Sequence, residues 1–169
     1  MGNTIDWQAE VDRVRKAAEV RKMADTQNED EFIADDALPI IPEGIYDVYC
    51  TGVEKGVAHF GSLKMYLKFK IVNSAQYVDI KLFMAINLIN TKTGKPFKKV
   101  PGGSKYYKQW IIANGNNKPV RDDRMSPKIF VSRIFKAVVK TVKPKFPDGT
   151  EMPECFYYSV IEYLKERVA

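Results

Sequence analysis

The segment Leu63-Lys-Met-Tyr-Leu-Lys-Phe-Lys-Ile-Val72 has the most regular strand pattern in this chain. From Leu63 to Ile71 every second residue is apolar, and the positions between them hold three lysines and one tyrosine. Successive side chains of a β-strand point to opposite faces, so this alternation predicts a strand with one buried face and one basic face. The predicted outer residues are Lys64, Tyr66, Lys68 and Lys70.

Similar patterns flank this strand on both sides. Residues 45–54 are rich in Tyr, Val and Thr, and residues 78–87 alternate again. In the latter segment the apolar residues are predicted inside, and Asp79, Lys81 and Phe83 outside. Polar or glycine-containing breaks near residues 55–62 and 73–77 separate the three segments, which therefore predict an antiparallel meander.

The following residues predict a helical insertion and two further strands. Ser104 can cap a short helix that ends near Gly115, and Ser126-Pro127 predicts a second helix to about Phe135. Residues 136–143 and 156–164 have strand composition. A mostly β (α+β) chain with a helical insertion between strands 3 and 4 has the element order of the OB-fold, a five-stranded Greek-key barrel. A β-sandwich or another α+β sheet stays open as the alternative.

The first 39 residues differ from the rest. Residues 4–24 have apolar positions at helical spacing, and residues 25–38 are acidic without periodicity. They predict an N-terminal helix and a linker. We therefore expect an acidic segment over residues 1–39 and an OB-like nucleic-acid-binding domain over residues 40–169.

The charge distribution indicates a polyanionic partner. Residues 1–40 carry five Lys/Arg against ten Asp/Glu, whereas residues 92–145 carry 15 Lys/Arg against two Asp. Clustered cations gain free energy by releasing the counterions condensed on phosphates. A basic surface kept for solubility is the alternative. The acidic segment can compete for the same cations, so we expect its deletion to raise DNA affinity at low salt.

Two clusters combine rings with positive charge, as single-strand binding requires, because bases stack on rings while ammonium groups follow the backbone. The first comprises Lys64, Tyr66, Lys68, Lys70, Lys81 and Phe83 on the predicted outer sheet face. The second comprises Lys98, Lys99, Lys105, Tyr106 and Lys108, extended by Lys118, Arg121, Arg124, Lys128, Lys140, Lys143 and Lys145. In the second cluster Tyr107, Trp110 and Ile111 have the spacing of a core face, which leaves Tyr106 exposed. The alternative for Tyr66 and Phe83 is a cross-strand pair covered by the N-terminal helix or a partner.

The sequence offers little for catalysis. His59 is the only histidine and is expected in a solvated turn, and Cys50 and Cys155 are the only cysteines. Neither a zinc site nor a Cys/His nucleophile is therefore predicted. Asp79-x-Lys81 with Glu54 or Asp47 leaves a Mg-dependent nuclease as a remote alternative. We expect no catalytic site, metal or cofactor, and two reduced core thiols in a cytoplasmic protein without a membrane segment.

Three segments carry a resemblance to a known family: Ile41-Pro-Glu-Gly-Ile-Tyr-Asp-Val-Tyr49, Leu63–Val72 and Lys81–Asn87. They resemble small phage and plasmid proteins whose domain begins with a Pro-Glu-Gly-x-Tyr strand and which are similar to OB-fold single-stranded DNA-binding proteins. The resemblance implies an accessory role in replication or recombination of a mobile element. Cellular single-strand binders end in an acidic tail, whereas the acidic segment here is N-terminal.

Together these features predict a non-catalytic protein that binds single-stranded DNA with little sequence preference. Replication or recombination proteins are further expected partners, and self-association stays open. The alternative function is a protein–protein adaptor of a phage or plasmid whose basic face binds an acidic partner.

Overall fold

The computed structural model describes residues 38–59, 62–121 and 124–169. The chain divides into two units, Met1–Ala37 and Leu38–Ala169, and the second contains every described residue. The predicted N-terminal helix at residues 4–24 and the acidic linker up to residue 37 lie outside the described residues. No helix within the described part of the chain is long and apolar enough to cross a membrane.

Five antiparallel strands form one sheet with the order β3-β2-β1-β4-β5. The strands are β1 (Gly44–His59), β2 (Ser62–Ile71), β3 (Lys81–Asn87), β4 (Ile134–Val142) and β5 (Tyr158–Arg167). One α-helix, α1 (Lys105–Ala113), lies between β3 and β4 in the chain. The prediction of a mostly β, α+β fold with five strands is confirmed. His59 is the last residue of β1 rather than part of a turn.

The period-two pattern of the sequence sets the two faces of β2 and β3. The inward side chains of both strands are buried, namely Met65, Leu67, Phe69, Ile71, Leu82, Met84 and Ile86. Fully burying one such side chain stabilises the fold by about 1.5–3 kcal/mol. A slip of one residue would turn all of them to solvent, so the register is strongly specified. In this register Lys68 faces Phe83 and Tyr66 faces Ala85 across the two strands.

Helix α1 packs on the sheet through Tyr106, Trp110 and Ala113, which are all buried. Ser104 caps the helix by accepting a hydrogen bond from the Tyr107 backbone N–H, as predicted. The expectation that Tyr106 is exposed is wrong. The buried face of α1 contains positions 106, 110 and 113. Tyr106 can be buried because its hydroxyl donates a hydrogen bond to the Met125 carbonyl oxygen at 2.6 Å.

The prediction of a second helix, from Ser126 to about Phe135, is wrong. Only a 3₁₀ turn, Pro127–Ile129, forms there, and β4 begins at Ile134. The backbone of Ile134 pairs with Tyr49 of β1, far away in the sequence. This long-range pairing overrides the local helix signal that a serine and a proline produce.

The two cysteines have opposite environments. Both are free, but Cys50 is buried in the core and Cys155 is exposed in the 3₁₀ turn Glu154–Phe156. The expectation of two core thiols is therefore wrong for Cys155. Burial raises the pKa of the Cys50 thiol to about 11. A buried, protonated thiol reacts slowly because the thiolate is the nucleophile.

A thiol-reactive dye at about pH 8 is therefore expected to modify one thiol of the folded protein quickly and the second only after denaturation. Absorbance of the released or attached dye counts the modified thiols. Cys155→Ser should remove the fast phase and leave the slow one. Fast modification of both thiols in the native protein would contradict the burial of Cys50.

Candidate nucleic-acid interface

Three aromatic rings lie in a row across β2, β3 and β5. The rings of Tyr66 and Phe83 meet edge to face with centroids 5.8 Å apart, and Phe83 stacks on Tyr158 at 6.2 Å with 25° between the planes. We call these three residues the aromatic row. All three are half-buried, so each ring keeps some access to solvent. Because β3 and β5 are the outermost strands of the sheet order, the Phe83–Tyr158 contact shows that the sheet curves back on itself.

The sequence left two interpretations open for Tyr66 and Phe83, exposed stacking rings or a covered cross-strand pair, and the structure has features of both. The rings do form a cross-strand pair, yet no described residue covers them completely. Sequence reasoning missed Tyr158. The alternation of β5 predicts that Tyr158 points outward. The sequence around Tyr158 does not indicate, however, that β5 lies beside β3.

Four lysines project from the same outer face, and two of them are neutralised. Lys68 pairs with Glu54 at 2.8 Å, and Lys70 pairs with Asp79 at 3.3 Å. Such exposed pairs contribute little stability, but they lower the local positive charge. The other two, Lys64 and Lys81, have no acidic partner among the described residues and remain available to an anion.

A groove of about 710 Å³ leads from this face to the start of α1. Its lining includes Lys64 from β2, Lys92 and Phe97 from the β3–α1 loop, and Lys105 from the helix. The Lys105 Nζ donates to the Ala85 carbonyl oxygen at 3.3 Å. Ala85 faces Tyr66 across β2 and β3, so Lys105 reaches the backbone of β3, the strand that carries Phe83.

The environment of Lys105 is less polar than that of an ordinary surface lysine. Although its side chain keeps solvent access, burial of the ammonium group lowers the pKa of Lys105. The nearby Glu162 carboxylate raises the pKa and partly offsets this effect. A partly desolvated cation interacts more strongly with an anion than a fully hydrated one, because the effective dielectric constant around it is lower.

The remaining predicted site residues are spread along the surface. Lys98, Lys99, Lys108, Arg121 and Arg124 are all exposed. The structure does not bring them into contact with the aromatic row. Tyr106 is excluded as a stacking residue because its ring is only 4 % exposed.

Part of the positive charge of residues 92–145 is neutralised by ion pairs along and just after β4. Lys136 pairs with Glu166 at 2.5 Å, Lys140 with Glu162 at 3.1 Å and Lys143 with Glu151 at 3.6 Å. All three carboxylates come from outside that interval. The expectation that Lys140 and Lys143 extend the basic surface is therefore wrong, because each faces an acidic residue of β5 or of the hairpin before it.

The acidic residues of the nuclease alternative do not converge. Glu54 and Asp79 each pair with a different lysine of β2. Within residues 38–59, 62–121 and 124–169, no three His, Cys, Asp or Glu side chains form a group that could hold a metal ion.

No family model matches the chain. A search of curated proteins also finds no match.

Proposed function

We propose that this protein binds single-stranded DNA with little base preference and without catalysis. The observation that carries the proposal is the aromatic row of Tyr66, Phe83 and Tyr158. Lys64 and Lys81 project from the same face, and Lys105 binds the backbone of β3. Every base has a π-face that a ring can stack on, and the ammonium groups can neutralise the phosphates between bases. Both interactions tolerate any sequence.

The proposal includes an OB-fold-like barrel as the scaffold. The sheet order, the helix between β3 and β4, and the contact between the outermost strands support it. OB-folds bind oligonucleotides on the face of strands 2 and 3, and two members of the aromatic row belong to those strands. The resemblance to phage and plasmid proteins supports a role in replication or recombination of a mobile element.

The aromatic row favours a single strand over a duplex. In a duplex the bases stack on one another and only their edges are accessible in the grooves. Half-buried rings in the middle of a sheet reach a base face only when the base is unpaired. We therefore infer that cations alone contact a duplex, whereas a single strand gains stacking as well.

A binding titration tests the proposal with a fluorescently labelled oligothymidylate and a duplex of the same length. We expect Tyr66→Ala and Phe83→Ala each to weaken single-strand binding by about 1–3 kcal/mol, or about 5–150-fold, and to change duplex binding little. Thermal unfolding measured in parallel shows that the variants are folded.

The matched control is Tyr77→Ala. The rings of Tyr77 and Tyr46 also meet edge to face, at 6.2 Å, but outside the aromatic row. This control should bind DNA like the unaltered protein. An equal loss in the control, or no loss in either row variant, would refute the proposal. Tight binding of a non-nucleic polyanion that is insensitive to ring removal would favour an adaptor for an acidic protein.

A further inference from the structure

A second groove, of about 640 Å³, lies between α1 and β5. Gly103 and Lys105 line both this groove and the one that begins at Lys64, so the two grooves meet at the start of α1. The second groove continues with Lys108 of α1 and with Tyr163 and Lys165 of β5. None of its lining residues belongs to β2 or β3.

The charges in the second groove favour an anion. Three ammonium groups, those of Lys105, Lys108 and Lys165, line it together with one carboxylate, that of Glu162. Glu162 also pairs with Lys140 at 3.1 Å, so its charge is shared with a cation outside the groove. The lining is therefore net positive.

A β-bulge exposes an aromatic ring in this groove. Val138 pairs with Tyr163 and Val139 with Ile161, so Glu162 is an extra residue in β5. Bulges redirect side chains and are common next to binding sites. Here the bulge interrupts the alternation of β5: Ile161 is buried, whereas Tyr163, two residues further on, is 43 % exposed.

The walls of the groove are held together by a buried hydrogen bond. The Gln109 side chain of α1 is buried, and its Oε1 accepts from the Leu164 backbone N–H at 2.5 Å. This bond joins the helix to β5 directly beneath the groove. A ligand thus meets a preformed surface and loses little free energy in ordering it.

We propose that a bound single strand continues from the aromatic row past Lys105 into the second groove. There Tyr163 stacks on a further base, and Lys108 and Lys165 contact phosphates. This inference rests on the proposed function and extends it, because it adds a second subsite outside the face of strands 2 and 3. One OB-fold covers about 4–16 nucleotides, a range that allows a second subsite of this kind.

Binding of two oligothymidylates tests this path, one of about 5 and one of about 15 nucleotides, at opposite ends of that range. We expect Lys108→Glu combined with Lys165→Glu to weaken binding of the long oligonucleotide about tenfold and of the short one less than about twofold. Tyr163→Ala should weaken the long one about fivefold or more. Circular dichroism confirms that these surface variants fold.

The matched control changes the same net charge elsewhere, at the exposed residues Lys118 and Lys128, both to Glu. It should reduce the affinities for both oligonucleotides equally. If the groove variants lose no more affinity for the long oligonucleotide than this control, the path is wrong while the proposed function stands. If the unaltered protein binds neither oligonucleotide, the proposed function itself fails.

Discussion

Replacing Tyr106 by alanine is expected to lower the free energy of unfolding by about 3–5 kcal/mol and to leave the DNA affinity of the folded protein unchanged. The ring is buried and packs on Phe130 with centroids 6.4 Å apart. Its hydroxyl donates to the Met125 carbonyl oxygen, and burial raises the pKa of Tyr106 to about 12. The substitution therefore removes core packing and a buried hydrogen bond, but no accessible ring.

A graded series separates the contributions of the Tyr106 ring and hydroxyl. Tyr106→Phe keeps the ring and should lose only about 1–3 kcal/mol, because the Met125 carbonyl then lacks its partner. Tyr107→Ala, at the half-buried neighbouring position, should lose less than Tyr106→Ala. Urea unfolding followed by circular dichroism measures all three variants. A stable Tyr106→Phe protein with strongly reduced DNA affinity would show that the hydroxyl contacts DNA after all.

The second large effect concerns ionic strength. Raising the salt concentration from about 50 to about 200 mM should weaken single-strand binding about a hundredfold. Each phosphate neutralised on a single strand contributes about −0.7 to the slope of log affinity against log salt, so five contacts amount to a slope of about −3.5. On a strand that ends before the second groove, we assign these contacts to Lys64, Lys81 and Lys105 and to Lys98 and Lys99, which are exposed in the loop before α1.

Single substitutions show which lysines produce this slope. Lys98→Ala and Lys99→Ala should each make the slope shallower by about 0.7. Lys136→Ala is the control, since Lys136 is bound to Glu166 and contributes no free charge. Fluorescence anisotropy at four or more salt concentrations gives the slopes. If the affinity of the unaltered protein does not depend on salt, or if the control changes the slope equally, these lysines do not bind phosphates as proposed.

The basic interface was predictable from the sequence only in part. The outward lysines and rings of β2 and β3 followed from the alternation of the two strands, and the structure places Tyr66 and Phe83 in contact. The contribution of charge was harder to predict. A count of lysines treats Lys140 and Lys98 alike, yet the first faces Glu162 across β4 and β5, and the second is exposed in a loop.

Strands β2 and β3, their buried faces and the capping of α1 by Ser104 are all predictable from the sequence. These features depend on short-range periodicity and on a cap, which a window of about ten residues contains. Tertiary packing alone places Tyr158 on Phe83 and buries Tyr106. It also decided that three lysines of the basic stretch are neutralised by carboxylates from outside it. Each of these outcomes depends on residues far apart in the sequence, and local patterns do not indicate which distant segments pack together.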